Sequence, residues 1–222
     1  MSTAYEDYQE GWRRLRSGRT AQATVPLEKA PKVAVYAPPN AAPWDDAVTM
    51  ALRYAGIDFA KVWDLEVLAP GGTGLARYDW LHLHHEDFTG QYSKFYLTYA
   101  GAPWLAEMVE RNTAMARALG FSSVPAEKRA VAEAIAAYVN QGGFLFAMCA
   151  ATETLDLALA GAGVDIAAAY ADQTPMDPNA TAKMDWTRAL AFQDARLELS
   201  PNVSQFSDID GHEVNAMSRR QE

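Results

Sequence analysis

Twelve residues constrain the fold of this chain more than any others: Gly142-Gly143-Phe144-Leu145-Phe146-Ala147-Met148-Cys149-Ala150-Ala151-Thr152-Glu153. The apolar run is too short for a helix of its own and reads as a buried strand. It ends at Cys149, the only cysteine in the chain. Ala147 and Ala151 stand two places to either side of it, and a helical pattern follows. This is the layout of a nucleophile elbow, a sharp strand-to-helix turn whose crowded backbone accepts only small neighbours. The layout predicts a thiol lifted off the carboxyl end of a strand, facing the N-terminus of a helix over 152–160. The competing reading is a buried cysteine packed as a small hydrophobe.

Short apolar runs and helical periods alternate upstream of the elbow. Lys32-Val33-Ala34-Val35-Tyr36-Ala37 is a buried-strand signal closed by Pro38-Pro39-Asn40. Residues 44–55 repeat apolar side chains at helical spacing (Val48, Ala51, Leu52, Ala55), and Gly56 suits the position after the helix end. Residues 59–63 and 78–84 are further strand candidates. Residues 103–119 form a helix closed by Gly120, and Ser123 caps a second helix that runs to Asn140 with Pro125 in its first turn. Residues 69–74 and 85–101 read as loops. Alternating helices and doubly buried strands predict an α/β fold with a mostly parallel sheet. Ligands in such sheets bind beyond the carboxyl ends of the strands, here residues 37–44, 85–101 and 149–153. Residues 1–30 form a polar extension, read as a short helix plus linker, and residues 31–170 the α/β domain. Residues 171–222 form its irregular remainder, with a candidate strand at 195–199 and a polar end that leaves truncation of the domain open.

Composition narrows the partner. A net charge of −9 over 222 residues argues against nucleic acid and anionic membranes as ligands. No apolar run approaches the roughly 18 residues of a membrane helix, so no membrane insertion is expected. One cysteine excludes an intrachain disulfide framework and fits a reducing compartment. The first 19 residues carry Glu6, Asp7, Glu10, Arg13, Arg14 and Arg16 where a signal peptide is apolar, so a cytoplasmic location is expected. A small polar metabolite is the expected partner.

Three constellations carry chemistry. At the elbow, Cys149 is the candidate nucleophile, the Ala150 N–H a candidate oxyanion donor, and Glu153 lies one helical turn on. His212, with Glu213 or Asp210 as orienter, is a candidate base if the tail folds back. The second constellation is His82-Leu83-His84-His85-Glu86-Asp87. Strand alternation puts His82 and His84 on one face, while His85, Glu86 and Asp87 spill past the strand end. Three imidazoles and two carboxylates in six residues suit either a polar substrate pocket or a divalent metal. In the metal reading His82, His84 and His85 are the ligands; no cofactor is certain. In the pocket reading His85 and Glu86 join the catalytic set and His84 and Asp87 contact substrate. The third is the loop of residues 87–99, where Gln91, Tyr92 and Lys94 are candidate substrate contacts and Tyr96 and Tyr99 add aromatic surface. Aromatic rings with hydrogen-bonding tips suit a sugar or another polar metabolite. A lid that packs its own tyrosines is the alternative.

The order of these motifs resembles the class I glutamine amidotransferase-like superfamily, which includes ThuA-like proteins. The resemblance rests on residues 32–37, on Tyr138-Val139-Asn140-Gln141-Gly142-Gly143 and on the elbow at 144–151, and covers roughly residues 30–170. It implies a three-layer, flavodoxin-like α/β fold. Residues 79–91 also look like a segment of bacterial proteins labelled "asparagine synthetase B". The synthetase activity itself is not expected: the chain begins Met1-Ser2-Thr3, without an N-terminal cysteine, and lacks a Ser-Gly-Gly-x-Asp-Ser loop. The superfamily elbow is Gly-x-Cys-x-Gly, whereas Ala147 and Ala151 stand here. Its downstream His-x-Glu is replaced by His212 followed directly by Glu213. Three functions remain: a hydrolase-like enzyme acting on or binding a small polar metabolite at one pocket expected between the His82–Asp87 loop and the Cys149 elbow, a non-catalytic carbohydrate- or protein-binding domain, and a glutaminase-type amidotransferase domain.

Overall fold

The computed structural model describes residues 29–39, 47–69 and 73–209. The described residues from Pro31 onward form one compact unit. Its centre is a four-stranded, all-parallel sheet of β1 (Val33–Tyr36), β2 (Phe59–Val62), β3 (Trp80–Leu83) and β4 (Phe144–Ala147), in the order β2-β1-β3-β4. The helices are α1 (Ala47–Ala55), α2 (Asp64–Val67), α3 (Thr73–Ala76), α4 (Phe95–Thr98), α5 (Pro103–Ala118), α6 (Val124–Asn140), α7 (Ala150–Ala160), α8 (Ala169–Asp172) and α9 (Ala180–Lys183). This is the three-layer, flavodoxin-like α/β architecture. The chain steps from β1 outward to β2, then returns past β1 to β3, so the topological switch point lies between β1 and β3.

The register fixes two faces. Val33, Trp80 and Phe144 align across β1, β3 and β4, as do Val35, His82 and Phe146. The alternate residues Ala34, Leu81 and Leu145 point to the other face. That other face is the main core, where Tyr36, Leu81 and Leu83 meet Val131, Ile135 and Tyr138 of α6 and Leu155 and Leu159 of α7. Removing such side chains from water stabilises by roughly 1.5–3 kcal/mol each. On the first face α1 covers Val33 and Val35 with Leu52 and Val48. The cover extends to His82 on β3 and thins over β4. Phe144 is 57% and Phe146 38% exposed, and Trp80 meets both edge-on, at centroid distances of 5.8 and 6.4 Å. The apolar run of β4 predicts burial on both faces; instead Leu145 and Ala147 are half-buried against the core and Phe144 and Phe146 are exposed.

Local chemistry sets the element ends. Ser123 Oγ accepts the Ala126 N–H at 3.3 Å and starts α6, with Pro125 in its first turn. At the other end Tyr138 lies across Gly143, where an added Cβ would fall 2.2 Å from the ring, so only glycine lets β4 begin there. The 85–101 region is more structured than a loop: it holds a single turn at Tyr92–Lys94 followed by α4. Helix α7 starts two residues before the expected Thr152, and β2 ends one residue before Trp63. The 195–199 strand is reduced to one antiparallel bridge between Leu197 and Ser207. Asp210, His212 and Glu213 lie outside the described residues, as do 40–46 and the Gly71-Gly72 part of the 69–74 loop.

Candidate functional site

Two constructions stand side by side at the carboxyl edge of the sheet. The first is the elbow. Cys149 is exposed, caps α7, and holds φ +53° and ψ −139°, a conformation that costs a non-glycine residue about 1–3 kcal/mol. Small neighbours make it affordable: Ala151 is fully buried and its N–H bonds the His84 carbonyl at 3.2 Å. Alanine is therefore small enough for both positions flanking the turn. Thr154 Oγ1 donates to the Glu86 carbonyl at 2.9 Å, so the start of α7 is stitched directly to residues 84–86. Glu153 is buried, and its carboxylate accepts the Ser207 hydroxyl at 2.5 Å. That bond ties α7 to the C-terminal segment.

The second is a cavity of about 180 Å³ beside β1 and β2. Tyr36, Pro38 and Trp63 come from the strand ends, and His85, Glu86, Asp87, Gly90, Tyr92 and Ser93 from the segment after β3. Met108, Arg111 and Asn112 of α5 and Val124 and Lys128 of α6 close it. Under its wall lies a buried ionic network. Lys128 Nζ bonds Asp64 Oδ2 at 2.5 Å and Tyr36 Oη at 3.0 Å, and the Tyr36 hydroxyl also donates to Asp64 Oδ1. The ammonium lies 5.0 Å from the Trp63 ring centroid and 5.6 Å from that of Tyr36. Burial and the Asp64 charge hold the Tyr36 phenol well above its usual range. Glu127, fully buried 3.9 Å from Lys128, accepts no hydrogen bond on either oxygen among the described residues. Burial pushes its carboxyl up to about 8, with Lys128 pulling down and Asp64 pushing up.

The carboxylates after β3 build the loop itself. Glu86 Oε2 accepts the His84 N–H at 2.6 Å. Asp87 takes the N–H groups of Thr89, Gln91 and Ser93 at 2.8–2.9 Å and the Thr89 hydroxyl at 2.5 Å. Burial raises the Asp87 carboxyl, and those bonds oppose the rise. Asp87 holds an unusual turn: Tyr92, Ser93 and Lys94 all have φ near +55°, three successive left-handed residues without a glycine. Gly90, at φ +75°, is required where the loop crosses α6, because a Cβ there would lie 2.6 Å from Pro125 Cα.

The expected site residues divide accordingly. His85, Glu86, Asp87 and Tyr92 line the cavity; Cys149 does not, and stands exposed on the β4 side. Gln91 is spent on Thr89 Oγ1 and the Ala168 N–H. Lys94 is buried, and its ammonium bonds the carbonyls of Glu198 and Gln205 at 2.6 and 2.7 Å, which fastens the C-terminal segment rather than facing the cavity. The tyrosines of the loop do pack among themselves and with Tyr170, which stacks on Tyr96 at 4.6 Å. His82 is fully buried against Phe146, while His84 stacks on His85 at 3.6 Å. Among the described residues no group of three His, Cys, Asp or Glu side chains is arranged to hold a metal ion, so the set His82, His84 and His85 is not carried further. Tyr36, Trp63, Asp64, Arg111, Glu127 and Lys128 were invisible to motif reading. The only hint was Tyr36 ending a strand beside the switch point.

A larger groove of about 630 Å³ runs along α5, lined by Tyr96, Leu105 and Val109 among others, and holds none of the strand-end residues. Among the described residues no helix is long and apolar enough to cross a membrane. Compared with known proteins, the chain matches no family model, no curated protein and no solved structure.

Proposed function

We propose that this protein is a hydrolase-like enzyme of the class I amidotransferase-like kind that acts on a small polar metabolite at the carboxyl edge of its sheet. The observation that carries the reading is Cys149, an exposed thiol at φ +53° heading an eleven-residue helix. What supports it is the combination: the positive φ lifts the thiol off the strand end, and the thiol is exposed rather than packed in the core. In the proposed reaction Cys149 Sγ attacks an ester or amide carbonyl, a thioester forms, and the alcohol or amine leaves with a proton. Water then hydrolyses the thioester. His85, exposed and lining the cavity, is the proposed proton acceptor, supported by the bond that joins neighbouring His84 to the start of α7. The cavity is the proposed recognition pocket.

Hydrolysis of p-nitrophenyl acetate tests this. The expected result is turnover above background that falls to background in Cys149→Ser. Equal rates for both proteins would refute the enzymatic reading. A second reading, binding without catalysis, is favoured by one observation: Cys149 is not among the cavity's lining residues.

A further inference from the structure

The cavity beside β1 and β2 has a distinctive inventory of unfulfilled groups. Its two carboxylates already serve the loop: Glu86 accepts the His84 N–H, and Asp87 accepts three backbone N–H groups and a hydroxyl. Arg111 is in the opposite state. Arg111 makes no hydrogen bond through its buried Nε. Its guanidinium is lowered from its ordinary value by burial, with only Glu107, one helical turn back, opposing. Lys128 spends two donors on Asp64 and Tyr36, and an ammonium has three. The lining therefore keeps one buried cationic N–H, that of Arg111 Nε, without an acceptor among the described residues. A buried cationic N–H without an acceptor is costly, and a ligand bringing one would remove that cost.

The rest of the lining sets the ligand's body. Trp63, Tyr92, Met108, Val124 and Pro38 present mostly apolar surface. A cavity of about 180 Å³ is slightly larger than the roughly 150 Å³ that holds a benzene ring. We propose that this cavity binds a small organic oxyanion, a carboxylate or phosphate monoester on an apolar body of about one ring, with Arg111 as its principal anchor and Lys128 as the second. The proposal deepens the functional reading above, because it names the substrate class of the same sheet edge.

The experiment is calorimetric titration of the full chain carrying Cys149→Ala, so that no thiol chemistry intervenes. The probes are benzoate, phenyl phosphate and neutral benzamide. At least one anion should bind about tenfold or more tighter than benzamide, the worth of a charged hydrogen bond, and the better of the two identifies the head group. Arg111→Gln should weaken that anion by about tenfold and leave benzamide unchanged, and Arg111→Lys should recover part of the loss. Among the described residues the Arg111 side chain makes no hydrogen bond to lose, so circular dichroism and melting of both variants should match the parent. Benzamide binding as tightly as the anions, no binding of either anion, or an Arg111→Gln variant with undiminished affinity would each overturn the proposal. Anion binding without ester hydrolysis would sink only the catalytic reading. Hydrolysis without anion binding would sink only this one.

Discussion

The elbow and the cavity sit on adjacent strand ends yet are built in opposite ways. The elbow is local: one strained residue, two small neighbours and one backbone bond to His84. The cavity is dispersed, drawing Tyr36, Trp63, Glu86, Arg111 and Lys128 from five separate elements. Its wall stands on a buried network in which each charge depends on another. The contrast teaches where stability and reactivity reside. Substitution at the elbow should change chemistry and hardly touch the fold. Substitution under the cavity should cost the fold first.

Lys128→Met gives the largest expected effect. It strips Asp64, Tyr36 and Glu127 of their buried cation, and breaking one side of a buried pair costs about 3–5 kcal/mol. Urea denaturation should show that loss; a cost below about 1 kcal/mol would mean the network does not support the cavity wall.

Glu127 supplies the next. Its carboxyl titrates near 8 in the folded protein and near 4.3 when unfolded. A raised acid binds its proton more tightly in the folded state, so its contribution is complete below about pH 4 and is lost as pH rises through 8. Stability should fall by on the order of 3 kcal/mol between pH 5 and pH 9, and Glu127→Gln should flatten the profile. An unchanged profile in that variant would place the titration elsewhere.

Asp87→Ala removes the acceptor for three loop N–H groups. Because the left-handed turn it holds is itself strained, the net cost should be moderate, about 2 kcal/mol. Hydrogen exchange at the amides of Gln91 and Ser93 should accelerate. If they stay protected, the turn is held by something other than this carboxylate.

The smallest stability effect belongs to the elbow. Cys149→Gly should be more stable than Cys149→Ala by about 1 kcal/mol, because glycine accepts φ +53° while alanine keeps the strain. Equal stabilities would mean the elbow stores no strain.

The same contrast explains what could be read from the chain before folding. The elbow was legible because its physics is sequential: an apolar run, small flanks and a helical period fix a turn within twelve residues. The parallel sheet was legible for the same reason, strand by strand. Asp87 and Lys94 were singled out for substrate, and in the fold both hold backbone groups, Asp87 while also lining the cavity; composition says which groups can bind and not which backbone groups reach them first. The Asp64–Lys128 pair spans 64 positions and has no pattern at all. Only the fold brings it together. The open aromatic side of β4 was also hidden, because Phe144 and Phe146 read as buried whether or not a helix covers them.

The central claim is that Cys149 is the attacking thiol, and the direct measurement is peptide mass spectrometry after a millisecond quench of the folded protein with p-nitrophenyl acetate. An acetyl group on the peptide containing Cys149, formed and then lost during turnover, is the predicted result. Turnover with no acetyl on Cys149, or an adduct that forms only after unfolding in urea, would contradict the account.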